Sequence, residues 1–414
     1  MPVITIFSGS FCNEKQVVEE VLSQTGYGLI ADKDVVADAS RISHIPANKI
    51  ERAFSAKTSV FNKFTHERER SLAHLRVALA ERLADDGLII TGFAGQLIPR
   101  DIGHVLRVCL IADMKARVAA ALREHKMSEL EALKIIRRED EERAAWTQML
   151  FDTKDQWDAS LYDIVVPTDK IPPAEVAGTI TENIAKAVVK PTSRSKKAVD
   201  DFNLAARVET ALITEGHNVG VKARSGAVTL TINKHVLMLN RLEDELTSIA
   251  NRVPGVTSVE SKVGPGYYQA DIYRRQDFEI PSKILMVDDE REFVQTLSER
   301  LMMRDLGSAV AYDGESALEV AREDEPDVMI LDLRMPGIDG IEVLRRVKKT
   351  QPAIEVIILT GHGSEADKKV CMELGAFAYL QKPVDIDELS GTIKAAHDKI
   401  RRTRDDMKPI EADR

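Results

Sequence analysis

The chain opens with a short apolar run, "VITIFSGS", that predicts a buried strand. In the following "EKQVVEEVLSQTG", Val17, Val18, Val21 and Leu22 recur at the spacing of one helix face. "GLIITGFAGQLI" and "VLRVCLIA" predict further buried strands. Past residue 200 a helical "NLAARVETALITEG" precedes "VGVKARSGAVTLTINKHV", where Val228, Leu230 and Ile232 alternate with polar residues after a Ser225-Gly226 turn. A second helix and "VPGVTSVESKV" follow. In the last third, "KILMVDDE", "DVMILDLRMPGIDG", "EVIILTGHG" and "AFAYLQKP" each predict a strand, with helical patterns between them such as Phe293, Val294, Leu297 and Leu301. Strands alternating with helices imply an α/β protein built on doubly wound parallel sheets.

Two stretches break the periodicity and are read as linkers: the polar, basic run Val188 to Asp201, and Gly264 to Ser282, rich in glycine, proline and tyrosine. The tyrosines and Phe278 of the second are candidates for packing on a neighbouring domain. The expected domains are residues 1–187, 201–264 and 283–402. With 414 residues, 44% hydrophobic, the chain has apolar material for several cores. The net charge of -10 gives no footprint for general binding to nucleic acid or anionic membranes. Cys12, Cys109 and Cys371 are the only cysteines and form no metal-type pair, which favours a reducing compartment and buried apolar roles. No apolar run approaches the roughly 18 residues of a transmembrane helix, and the N-terminus lacks a basic leader. A cytoplasmic protein without a membrane span is expected.

The clearest chemistry lies at the C-terminal strand ends, where ligands gather in such sheets. Asp288 and Asp289 end one strand, Asp332 a second, Thr360 a third and Lys382 a fourth. Hard oxygen ligands from Asp289, Asp332 and the backbone carbonyl of Arg334 suit Mg2+, with Asp288 positioning them. Asp332 can then attack phosphorus, while Lys382 and the Thr360 hydroxyl stabilise the phosphoryl oxygens. A cis Lys382-Pro383 peptide would aim the lysine inward. With these motifs in place, the segment from Lys283 to about Lys399 resembles a response-regulator receiver domain of two-component signalling. The resemblance implies the flavodoxin-like strand order 2-1-3-4-5, Asp332 as phosphoacceptor, Thr360 as the family's hydroxyl and Tyr379 as the switch aromatic.

The middle segment, with its G-x-V-x-L and P-G-V-x-x-V elements, resembles a BON domain. A protein-interaction or spacer role is expected of it here. At the N-terminus, "FSGSFCNEKQ" is spaced like a phosphate-binding loop, with Gly9 opening it and Lys15 six residues later. Together with "ADMKARV", "MSELEALKIIRREDEERAAW" and "SLYDIVVPT" it resembles the cytidylate-kinase-like P-loop nucleoside monophosphate kinases. By that resemblance Lys15 would meet nucleotide phosphates, Asp32 would lie near a monophosphate acceptor, and Arg117, Arg138 and Arg143 would be lid-side arginines. The alternative is a set of solvated arginines with i,i+4 partners, which "IIRREDEER" fits nearly as well. Glu14 stands where a loop glycine is expected, Gln16 where a Mg2+-binding hydroxyl is expected, and Phe93 follows Gly92 where the family tends to have arginine. A degenerate kinase fold used for sensing or docking, with ATP bound weakly at best, is therefore expected.

The function expected is that of a response regulator accepting a phosphoryl group on Asp332 from a sensor histidine kinase or phosphotransfer protein. It would signal to a downstream protein partner, with a homodimer through the receiver as one arrangement. No helix-turn-helix segment indicates direct DNA binding. The alternatives are a phosphorylation-regulated nucleoside monophosphate kinase and a structural adaptor in which neither end is chemically active.

Overall fold

In the computed structural model, β1 (Val3–Ser8) is buried at every position, because it pairs on both edges and is covered on both faces. The structure describes residues 1–406 apart from 86, 235, 237, 238, 269–282, 305 and 362. With β2 (Gly28–Ala31), β3 (Leu88–Thr91), β4 (Val105–Ile111) and β5 (Ile164–Pro167), β1 forms a parallel sheet of order β2-β3-β1-β4-β5. One face is covered by the helices Glu14–Thr25 and Pro173–Ile184 through Val17, Val21, Val176 and Ile180. The other buries Leu75, Leu79 and Trp146. The central position of β1 places the loop after Ser8 where the chain order reverses, the usual ligand crevice of an open parallel sheet.

The run Val188 to Asp201, expected as a linker, is instead mostly helix. Thr192 and Ser195 form a reciprocal cap, each backbone N–H donating to the other's hydroxyl at 2.9 and 3.1 Å, and a helix runs from Ser193 to Thr214. Its basic residues Arg194, Lys196 and Lys197 face solvent. Val199 and Phe202 join the core of the first sheet, while Val208 and Leu212 join that of the middle module. Arg76 and Glu209, at 2.6 Å, add an ion pair to the same helix. The polar composition hid two apolar residues one turn apart, which is enough to bind the helix to the sheet.

The middle module pairs β6 (Gly220–Arg224) with β7 (Ala227–Ile232) antiparallel, and β7 with β8 (Ser258–Val263) parallel. Ser225 and Gly226 turn the hairpin in the left-handed region, at φ 54° and 87°. The alternation of Val228, Leu230 and Ile232 is seen as burial on one face of β7. Of the expected second linker, Pro265–Tyr268 forms a short turn whose Tyr267 packs into this module's own core. Phe278 and the rest of that linker, residues 269–282, lie outside the described residues.

By its contacts the chain divides into two units. The first holds the described residues up to Thr58 and from Arg68 to Tyr268; the second holds Ser59–Glu67 and the described residues from Lys283 on. In the second, β9 (Ile284–Val287), β10 (Ser308–Ala311), β11 (Val328–Leu331), β12 (Glu355–Thr360) and β13 (Ala378–Gln381) form a parallel sheet of order β10-β9-β11-β12-β13. This is the 2-1-3-4-5 order that the receiver resemblance implies. Among the described residues no helix is long and apolar enough to cross a membrane.

Candidate functional site

Four strands of the second sheet deliver their residues to one edge, and each residue is fixed by the neighbouring strand. The backbone N–H of Asp288 donates to Ala311 O at 3.1 Å, that of Asp332 to Val287 O at 2.9 Å, and that of Lys382 to Thr360 O at 3.0 Å. Asp288, Asp332 and Thr360 are buried, and Asp289 is exposed. The Lys382-Pro383 peptide is cis. Lys382 Nζ reaches Asp288 Oδ2 at 2.7 Å, Glu290 Oε1 at 3.2 Å and Asp332 Oδ1 at 3.9 Å, and it stands 4.4 Å from the centre of the Phe293 ring. Gly340 permits this geometry, since a Cβ there would lie 2.1 Å from the carbonyl oxygen of Asp332.

Burial pushes the Asp288 carboxyl above its ordinary pKa, and the charge of Asp332 adds to this, although the bond to Lys382 works the other way. Burial also disfavours the Lys382 ammonium, but Asp288, Asp332 and Glu290 outweigh it and hold the lysine charged. The carboxylate oxygens of Asp288, Asp289 and Asp332 lie within 4.8 Å of one another. Asp332 Oδ2 accepts the Arg334 N–H at 3.1 Å, whereas buried Oδ1 has no hydrogen-bond partner among the described residues. Three hard oxygen donors around one unsatisfied carboxylate oxygen fit a small divalent cation such as Mg2+.

Tyr379 packs against the core, and its buried hydroxyl has no hydrogen-bond partner among the described residues. It lies over Gly363, where an added Cβ would come within 1.6 Å of the hydroxyl and 2.9 Å of Thr360 Cγ2. Tyr379, the expected switch aromatic, thus lies half-buried against the loop that follows Thr360.

The N-terminal loop is arranged differently from a phosphate cradle. Lys15 is exposed and pairs with Glu19 at 3.9 Å, and Arg138 is exposed with Glu139 at 3.9 Å. Arg117 and Arg143 do converge on the loop, and they fill it. Arg117 is buried, forms a two-pronged pair with Asp140 at 2.7 and 2.8 Å, and donates to Ser10 O at 2.8 Å. Arg143 donates to Ser8 O at 2.8 Å. Glu14 accepts from the Ser8 hydroxyl and Glu139 from the Ser10 hydroxyl. A Cβ on Gly9 would meet Cys12 Sγ at 2.9 Å, Trp157 at 3.3 Å and the Arg117 guanidinium carbon at 3.4 Å. Sequence reasoning missed Asp140, Glu139 and Trp157. The two acids stood inside the charge run read as solvated, where nothing local marks one side chain as turned toward a loop more than a hundred residues away.

Asp32 does not face an open acceptor site; its carboxylate accepts the backbone N–H groups of Phe93 at 2.9 Å and Ala94 at 2.8 Å. Burial pushes its pKa up to about 6 despite those two bonds, and Glu14 contributes to the rise. A folded-state pKa above the unfolded one means that the native protein holds this proton more tightly. The penalty is therefore full above pH 6 and relieved as pH falls toward 4. In urea unfolding, the wild type should gain about 1 to 3 kcal/mol relative to Asp32→Asn between pH 7 and pH 4, the lower figure reflecting the part of Asp32 that water reaches. Parallel stability curves for the two proteins would show that Asp32 is not perturbed.

The family model for response regulator receiver domains matches residues 284–394, and that for the cytidylate kinase-like family matches residues 3–170. The transcriptional regulatory protein CpxR of Escherichia coli strain K12 is 43% identical over 114 residues, covering 28% of this chain and 48% of the relative. The chain thus spans about half the length of the curated relatives it matches. Among solved structures, a response regulator receiver domain protein from Clostridium thermocellum is 36% identical, covering 29% of this chain and 98% of that one, at a TM-score of 0.29. A CheY-like receiver domain from Methanospirillum hungatei JF-1 is 25% identical, covering 29% and 96%, at a TM-score of 0.28. The chain therefore carries a C-terminal response regulator receiver domain behind an N-terminal segment that matches the cytidylate kinase-like family.

Proposed function

We propose that the protein is a two-component response regulator that accepts a phosphoryl group on Asp332 and passes the signal on by protein contact. The observation that carries this reading is the position of Lys382 Nζ, between Asp288 and an Asp332 oxygen that has no hydrogen bond among the described residues. The Asp332 oxygen forms the new bond to phosphorus as the donor's bond to phosphorus breaks, and the donor leaves with the electron pair. Lys382 and the Thr360 hydroxyl then meet the phosphoryl oxygens. Asp289, Asp332 and the Arg334 carbonyl would hold a Mg2+ ion with help from Asp288; when bound, the ion offsets the carboxylate charge that faces an incoming phosphoryl group. The test is incubation of the full chain with Mg2+ and a small-molecule phosphodonor, followed by intact mass measurement. A gain of one phosphoryl group is expected; no gain with any donor, including a histidine-phosphorylated protein, would leave the adaptor reading.

The partners in this reading are a sensor histidine kinase or phosphotransfer protein upstream and a protein downstream, with receiver homodimerisation as a further arrangement and no direct DNA contact. The protein acts in the cytoplasm. Three functional segments, 1–187, 201–264 and 283–402, share the task, and the BON-like middle module serves as interaction surface or spacer. The N-terminal segment is a degenerate nucleotide kinase used for docking or sensing, supported by the filled loop at Gly9. The second reading, a phosphorylation-regulated nucleoside monophosphate kinase, rests on the family match over residues 3–170.

Signal exit runs through Thr360 and Tyr379. Drawing the Thr360 hydroxyl toward a phosphoryl group moves the loop on which Tyr379 rests, and the unsatisfied tyrosine hydroxyl makes that packing easy to rearrange. Phosphodonor should change hydrogen exchange across residues 363–381 in the wild type, and the response should fall by roughly half or more in Thr360→Ala. Equal responses in both proteins would remove Thr360 from the route.

A further inference from the structure

The chain leaves the first unit after Thr58, contributes Ser59–Glu67 to the second, and returns at Arg68. Among the contacts that seat this segment are one apolar and two polar ones. Phe61 is fully buried in the core that also contains Ala321 of the helix Gly314–Asp324 and Leu285 and Met329 of the sheet. The Val60 backbone N–H donates to Asp324 Oδ2 at 3.2 Å. Lys283, itself buried, pairs with Glu67 at 2.8 Å and donates to Asp324 O at 3.2 Å.

Asp324 ends the helix Gly314–Asp324, and the start of that helix is packed against the loop that follows Asp332. A Cβ on Gly314 would stand 2.7 Å from the Ile338 carbonyl oxygen and 2.8 Å from Val343 Cγ2, so this contact has no slack. One helix of 11 residues, about 16 Å long, therefore touches the Asp332 loop at one end and the Ser59–Glu67 arm at the other. Packed helices move as rigid bodies, and a displaced loop pushes the whole rod.

We propose that Ser59–Glu67 is a built-in partner of the receiver, an arm whose seat loosens when Asp332 is phosphorylated, so that receiver state reaches the first unit through the chain bonded to both ends of the arm. The inference rests on the reading of Asp332 as phosphoacceptor. It assigns the surface made by the end of this helix and the start of β9 to a segment of the same chain, and gives Phe61 a role that no N-terminal motif suggested.

The test uses the full chain and hydrogen exchange read by mass spectrometry, with intact mass measured on the same samples. Phosphodonor should speed exchange across residues 59–67 by about threefold or more in the wild type and leave Asp332→Asn unchanged. Phe61→Ala should speed exchange in Gly314–Asp324 and Val328–Leu331 about tenfold without phosphodonor, since a buried aromatic is lost from that core. Phe61→Leu and Glu67→Gln cover the case in which Phe61→Ala fails to fold, and each should give a smaller change in the same peptides. A mass gain with unchanged or slower exchange in residues 59–67 would overturn the inference and leave the phosphoacceptor reading standing. Absence of the mass gain would overturn that reading first. Exchange in the receiver peptides that ignores every Phe61 and Glu67 substitution would show that the arm is not seated there.

Discussion

Asp332→Asn is expected to abolish the phosphodonor-dependent mass gain, with no transfer to the neighbouring acids. Three carboxylates share the site, and their surroundings distinguish them. Asp288 is committed: Lys382 sits 2.7 Å from one oxygen, and the Glu290 N–H donates to the other at 2.9 Å. Asp289 is exposed, where water competes for its charge. Of the three, Asp332 combines burial with an oxygen that has no hydrogen bond among the described residues, 3.9 Å from the ammonium. Asparagine keeps the shape and the contact to the Arg334 N–H but has no carboxylate to attack phosphorus. Lys382→Ala should slow transfer by about one to two orders of magnitude without moving the acceptor, since it removes charge stabilisation and leaves the nucleophile. An acid-labile phosphate on the Asp332→Asn protein would mean that another residue is the acceptor. Chelation of divalent ions should suppress the gain in the wild type as fully as the substitution does.

The receiver was legible in the sequence because its signals are local. An apolar run that stops at a carboxylate fixes both the strand and the end of the sheet to which the acid belongs, and four such stops converge once the sheet is parallel. The strand order of the second sheet and the cis peptide before Pro383 agree with that reading. What was not legible depended on pairing between distant segments. Phe61 stands in a polar stretch of the N-terminal segment, yet it is fully buried in the core of the second sheet. The helix Ser193–Thr214 looked like a linker because its exposed face is basic; only the burial of Val199 and Phe202 shows what it packs on. Glu290, the third acid after β9, holds Lys382 at 3.2 Å, a role that no spacing rule implied. Of Arg117, Arg138 and Arg143, which the resemblance makes lid-side arginines, Arg138 is exposed, while Arg117 and Arg143 direct their charges at Asp140 and Ser8.

The N-terminal segment should give no saturable heat with Mg-ATP in calorimetry up to about millimolar concentration and no CMP phosphorylation in a coupled assay. A phosphate loop works by aiming backbone N–H groups at open space, and here that space holds Cys12, Trp157 and the Arg117 guanidinium. A triphosphate would have to draw Arg117 away from Asp140 and leave a half-buried carboxylate facing the new charge. Glu14 adds a second obstacle at the start of the helix. At about 5 Å from one phosphate charge its repulsion, at an effective dielectric near 20, is on the order of 3 kcal/mol, or roughly a hundredfold in affinity. Lys15 offers little in return while it extends into solvent beside Glu19. Replacing Glu14→Gly with Gln16→Ser should therefore recover only part of the affinity, and adding Asp140→Asn, which frees Arg117 for phosphate, should recover more. Catalysis should lag behind binding in each variant, because Lys15 and Arg138 remain outside the loop. Micromolar ATP affinity with robust CMP phosphorylation by the unmodified chain would reverse this reading: the Arg117–Asp140 pair would then be a latch that nucleotide opens, and the protein a kinase under receiver control.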